Sequence, residues 1–173
     1  MTLSRRGSLV VALVALGVAV LAAAGVLLVG ASRQSGTTST GGSAASRGEA
    51  IFQAGLGADG RPIPRSVEGN GGGMMGGGML ARSGCANCHG SDGRGRSTMM
   101  FTAPDITYDN LTDPAGMLTP DGAREPAFTD ETLRLAVTRG IDPEGDRLEW
   151  PMPQWHLSGR EWTDLLAYLK TLR

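Results

Sequence analysis

At 173 residues the chain has room for one domain plus accessory segments, and its formal net charge of −1 argues against nucleic acid as a partner. Hydrophobic residues make up 40% of it, but much of that share sits in one N-terminal run, and aromatics are only 5%, so the remainder can build only a modest core. Two cysteines allow at most one disulfide, which excludes a disulfide-stapled scaffold.

In chain order, Arg5 and Arg6 precede an uncharged stretch, Leu9 to Ala31, which as a helix would extend roughly 34 Å, enough to cross a bilayer. The run is longer than the roughly 7 to 15 apolar residues of a signal-peptide core. Residues 1–31 are therefore expected to be an uncleaved anchor, although Ala22-Ala23-Ala24 would suit a peptidase. The arginine pair puts the N-terminus in the cytoplasm. Residues 32–45 are Ser, Thr and Gly with little else, a flexible linker with a root-mean-square reach of about 20 Å.

Ser46-Arg47-Gly48-Glu49 has the spacing of a capping box, and Gly48, Ile51, Phe52 and Gly55 then share a helical face, predicting a first helix from residue 46. Residues 56–83 hold a Gly/Met-rich stretch, Gly69 to Met79, whose composition opposes regular structure. Its methionines admit a Cu(I) reading, but the stretch has no His and the spacing is irregular. Soft side chains laid against a cofactor edge or partner suit Met better, and a mobile loop without function fits equally.

Gly84-Cys85-Ala86-Asn87-Cys88-His89-Gly90 follows. Two thiols three residues apart fall one turn apart on a short helix, so both can form thioethers to one porphyrin while His89 turns its imidazole to the iron. A thioredoxin-like pair would need a strand-helix setting. A zinc site would consume every Cys and His of the chain, with two ligands adjacent in sequence. The motif therefore predicts one covalently bound haem c held by Cys85 and Cys88, with His89 as an axial iron ligand. A buried porphyrin would also supply apolar contact that the thin side-chain core lacks.

From Asp105 to Glu149 there are eleven Asp or Glu against four Arg, either a solvated face or a surface that steers a basic partner. Asp142, Glu144 and Asp146 alternate like part of a calcium loop, but Pro143 and the missing downstream ligands make that a poor match. Thr129 to Arg139 places Leu133, Ala136 and Val137 on one face and stops at Gly140, a middle helix. Trp150-Pro151-Met152-Pro153-Gln154-Trp155 flanks a methionine with two prolines, an arrangement that pre-sets an extended backbone. Ser158 to Glu161 forms another capping box, followed by Trp162, Leu165, Leu166, Leu169 and Leu172 at helical spacing. No stretch shows sustained two-residue alternation.

Together these features resemble the class I c-type cytochromes over most of 46–173. The resemblance rests on the Cys85 to His89 motif, the following Gly90 to Gly95 turn, Ala103-Pro104-Asp105-Ile106, and the Trp150 to Trp155 segment. It implies an all-α helical domain wrapped around the haem, with the first and last helices crossing at Gly48 and Phe52 against Tyr168. It also implies that the Pro104 carbonyl accepts from His89 and that Met152 is the sixth iron ligand. Met99, Met100, Met117, the loop methionines and His156 compete for that position. Trp150 and Trp155 would wall the haem crevice. The 56–83 insertion and the long acidic segment depart from the family.

With both axial positions filled, the iron would have no site for a small-molecule substrate, leaving outer-sphere electron transfer. Methionine ligation and a nonpolar crevice both favour Fe(II). The expectation is a single-pass electron carrier of the bacterial cytoplasmic membrane, anchored in the lipid bilayer through residues 9–31, with its haem domain in the periplasm. It would pass single electrons between membrane redox complexes of a respiratory chain, and would not itself be an enzyme. A fixed haem subunit of a larger oxidoreductase, of the nitric oxide reductase or terminal oxidase type, is the alternative. A haem enzyme or gas sensor with a labile sixth ligand is a further one.

Overall fold

A computed structural model describes residues 42–66 and 83–173. The expected anchor, most of the linker and the Gly69 to Met79 stretch lie outside the described residues. Among the described residues no helix is long and apolar enough to cross a membrane.

The first helix, α1 (Ala44–Ala54), starts earlier than its sequence signal predicts. Ser43, with φ −52° and ψ 161°, is the N-cap, and its side chain accepts from the Ser46 N–H at 3.1 Å. Ala44 and Ala45 extend the helix back at little cost, so Ser46 falls inside the first turn and the Ser46/Glu49 capping box is not formed. Residues 43–45 thus belong to the helix rather than to the linker. The helix stops at Gly55, which is left-handed at φ 66°.

The last helix, α5 (Gly159–Leu169), is capped by the device read in its sequence. Ser158 Oγ accepts from the Glu161 N–H, and Glu161 Oε2 accepts from the Ser158 N–H at 2.8 Å. Trp162, Leu165 and Leu169 are buried. Helices α1 and α5 cross at Gly48, where a β-carbon would lie 1.9 Å from the Asp164 carbonyl oxygen and 2.8 Å from Tyr168 Cβ. The missing side chain lets the two backbones touch, and one turn on, the Phe52 and Tyr168 rings pack with centroids 5.2 Å apart.

Beside this crossing, Arg47 Nε and Nη2 donate to the two carboxylate oxygens of Asp164 at 2.7 and 2.6 Å, although Asp164 is buried. Removing one partner of such a pair strands the other charge. Arg47→Ala is therefore expected to cost folding stability by leaving the buried Asp164 carboxylate unpaired, measured by denaturant titration. Arg47→Ala paired with Asp164→Leu should recover most of it.

Among the described residues between these helices are three shorter ones, α2 (Ala86–His89), α3 (Tyr108–Leu111) and α4 (Asp130–Arg139), and three antiparallel two-residue ladders. The ladders are β1 (Arg65–Ser66) with β6 (Gln154–Trp155), β2 (Arg96–Ser97) with β3 (Thr102–Ala103), and β4 (Met117–Leu118) with β5 (Arg124–Glu125). Pairings this short leave no alternation for a sequence to display. Thr129 caps α4, whose Leu133, Ala136 and Val137 are buried, and Gly140 ends it at φ 63°.

Ile51, Phe52 and Leu165 sit at the centre of the core, with Leu111, Met117, Phe128, Trp155 and Ile63 around them. Ile63 belongs to the 56–83 stretch, so the start of that departure from the resembled family supplies core rather than loop. Several charges of the acidic segment are taken up in ion pairs and turns. Asp109 pairs with Arg173, Asp113 with Arg124 and Asp130 with Lys170, while Asp142 accepts from the Glu144 and Asp146 N–H groups. Asp109 and Asp130 staple the end of the chain to the middle of the domain.

Candidate functional site

The Cys85–His89 turn is set against the end of α1. A β-carbon on Gly84 would fall 2.2 Å from the Phe52 carbonyl oxygen, so glycine alone allows this approach. The His89 and Cys88 N–H groups both donate to the Cys85 carbonyl, at 2.9 and 3.1 Å. This winds the motif into one tight turn and sets the two thiols one turn apart. Both thiols are free. Burial pushes the Cys85 thiol up to about 12, and burial likewise raises Cys88 against the opposing pull of Arg65 and Arg96. Each is thus held as neutral S–H at neutral pH.

His89 is buried, and its Nδ1 lies 2.9 Å from the Pro104 carbonyl oxygen. A carbonyl only accepts, so Nδ1 carries the proton and Nε2 keeps the lone pair, the tautomer a metal ligand requires. Desolvation lowers the imidazole pKa, outweighing the Pro104 hydrogen bond, and keeps the ring neutral. Gly95 makes this contact possible. Its N–H donates to the His89 carbonyl at 2.8 Å, and a β-carbon there would lie 2.7 Å from the Ala103 carbonyl oxygen and 2.9 Å from the Pro104 carbonyl carbon. At φ +84° the position also favours glycine on conformational grounds.

Trp155 is buried in the core cluster, which Cys85 also packs against. Its ring lies 3.0 Å from where a Gly55 β-carbon would be, and the Arg65 guanidinium carbon sits 4.7 Å from the ring centroid. Trp150, by contrast, is about half exposed. Met152 is partly buried and its N–H donates to the Glu149 carbonyl at 3.2 Å. That bond closes a turn over Trp150 and Pro151, and Met152 leads from this turn into β6.

Of the competing sixth-ligand groups, Met74, Met75 and Met79 lie outside the described residues. Met99 and Met100 are exposed at the tip of the β2–β3 hairpin, and Met117 is 5% exposed inside the core. His156 is exposed, with Nε2 3.5 Å from Ser66 Oγ. Among the described residues no group of three or more His, Cys, Asp or Glu side chains converges to hold a metal ion. The donors that the described residues bring together are two thiols and a neutral imidazole on one turn, a set whose chemistry fits the attachment and one axial ligation of an iron porphyrin.

No family model, curated protein or solved structure matches this chain. Sequence reasoning missed the contribution of Gly84 and Gly95 to the closeness of approach, though both glycines flank the motif and were visible as a signal. It also missed Arg65, which lies in a stretch with no periodicity to mark it.

Proposed function

We propose that this chain is a membrane-tethered, monohaem cytochrome c, ligated by His89 and Met152, that passes single electrons between membrane redox complexes on the periplasmic side. The observation that carries this reading is the buried His89 imidazole, held by the Pro104 carbonyl in the Nδ1–H tautomer beside two neutral thiols. A bound haem would supply one reversible electron at iron. Cys85 and Cys88 would fix the porphyrin covalently to the turn. The Pro104 hydrogen bond stops the His89 ring from rotating and raises its basicity as a ligand. Met152 would present a soft sulfur that favours the reduced metal. Trp155 is buried in the core cluster against which Cys85 packs.

The test uses the full chain expressed with haem-attachment machinery. The purified protein should show a near-infrared sulfur-to-iron band when oxidised and should not bind carbon monoxide when reduced. Met152→Ala should retain covalent haem, lose that band, lower the reduction potential and admit carbon monoxide. An unchanged band in Met152→Ala would assign the sixth position to another residue, and a colourless parent protein would overturn the haem reading itself.

A further inference from the structure

Arg65 occupies a junction that the proposed chemistry leaves unexplained. In the β1–β6 ladder it stands opposite Trp155, and its guanidinium lies over the indole, 4.7 Å from the ring centroid. The same group reaches the motif: Nη1 donates to the Ser83 carbonyl and Nη2 to Ser83 Oγ at 3.3 Å. Ser83 precedes Cys85 by two residues, and Trp155 follows Met152 by three. One half-buried side chain therefore joins the segment bearing the proposed sixth ligand to the turn bearing the other three haem contacts. Its face is used on the ring and its fork on Ser83, two contacts that a flexible lysine cannot make together.

We propose that Arg65 is a positioning residue that clasps the Met152 segment to the Cys85–His89 turn and thereby keeps the Met152 thioether on the iron. This rests on the haem reading above. Arg65 touches no reacting atom in this arrangement and acts through Trp155 and Ser83. Because the clasp spans the two sides of the site, loosening it frees the sulfur without breaking the thioether links. The half-buried positive charge, bonded to Ser83 two residues before Cys85, would also disfavour the extra charge of Fe(III).

The experiment compares the haem-loaded full chain with Arg65→Gln and Arg65→Lys, reading covalent haem content, the sulfur-to-iron band, carbon monoxide binding to the reduced form, reduction potential and thermal unfolding. Both variants should keep covalent haem yet bind carbon monoxide about tenfold more readily than the parent, with a weakened band. Only Arg65→Gln should also lose the contribution of the charge and show the larger fall in potential. A purely structural Arg65 would lower the unfolding midpoint and leave band and carbon monoxide binding as in the parent, which would overturn the proposal. Full rescue by Arg65→Lys would overturn it as well, because charge alone would then suffice. Should neither variant accumulate, Trp155→Leu, which removes the ring face, is expected to weaken the band in the same direction, and no change there would be decisive against the clasp. A parent protein without haem, or with a reactive open site, sinks the underlying reading instead, so the two failures are distinguishable.

Discussion

Replacing Cys85 and Cys88 together by alanine is expected to abolish covalent haem completely. A denatured sample of the parent chain should retain its haem colour on an electrophoresis gel, whereas the double variant should show none. The two thiols are the only ones in the chain, so no other side chain can form a thioether in their place. Their turn is closed by hydrogen bonds from His89 and Cys88 to the Cys85 carbonyl, and none of these uses sulfur. The attachment turn itself should therefore survive substitution, and loss of haem would report lost chemistry rather than a lost turn. Stability should also fall, because the apolar surface that the porphyrin would cover returns to water. Circular dichroism during heating reads that second effect. Haem that still co-migrates with the denatured double variant would contradict the attachment claim.

The second large effect is expected at Gly48. Alanine is a better helix former than glycine by about 1 kcal/mol, so propensity alone predicts a gain. Against this, the new β-carbon would stand 1.9 Å from the Asp164 carbonyl oxygen and 2.6 Å from its carbonyl carbon. Backbone atoms cannot move aside as a side-chain tip can, so α1 and α5 must separate. That loosens Phe52 and Leu165, among the most deeply buried side chains, and pulls on the Arg47–Asp164 pair. Overpacking of this kind costs about 3 kcal/mol or more, a large fraction of the roughly 5–15 kcal/mol that a domain has to lose. The clash should outweigh the propensity gain severalfold. Gly159→Ala is the matched control, because a β-carbon there would meet nothing within 4 Å. Urea unfolding should show a sharp fall for Gly48→Ala and little change for Gly159→Ala. Equal midpoints would mean that the two helices do not touch at Gly48.

Most of the helical framework was legible. Ser158 and Glu161 cap α5 because a capping box is a local device whose two partners are three residues apart whatever the rest of the chain does. Leu133, Ala136 and Val137 are buried for a similar reason, since 3.6-residue periodicity marks a face before anything packs on it. The N-cap of α1 was misplaced by three residues, Ser46 for Ser43. Ser43 and Ser46 are both competent caps, and only the realised backbone shows that the alanines between them are helical. The ladder β1–β6 was not foreseen, because Arg65 and Trp155 are paired across a long stretch of chain and two residues carry no period.

Sequence alone determined the elements whose cause is local: the Cys85–His89 turn, the cap of α5, the buried faces of α4 and α5, and the arrest of α4 at Gly140, whereas Gly55, read as part of a helical face, proved to be the end of α1. Tertiary structure decided which distant groups meet: Gly48 beneath the Asp164 carbonyl, Gly95 beneath the strand that brings Pro104 to His89, and Arg65 between Ser83 and Trp155. The physical reason is range. Caps, turns and helical faces are fixed by covalent spacing over a few residues, whereas a close backbone approach or a guanidinium shared by two segments exists only after the chain has closed on itself.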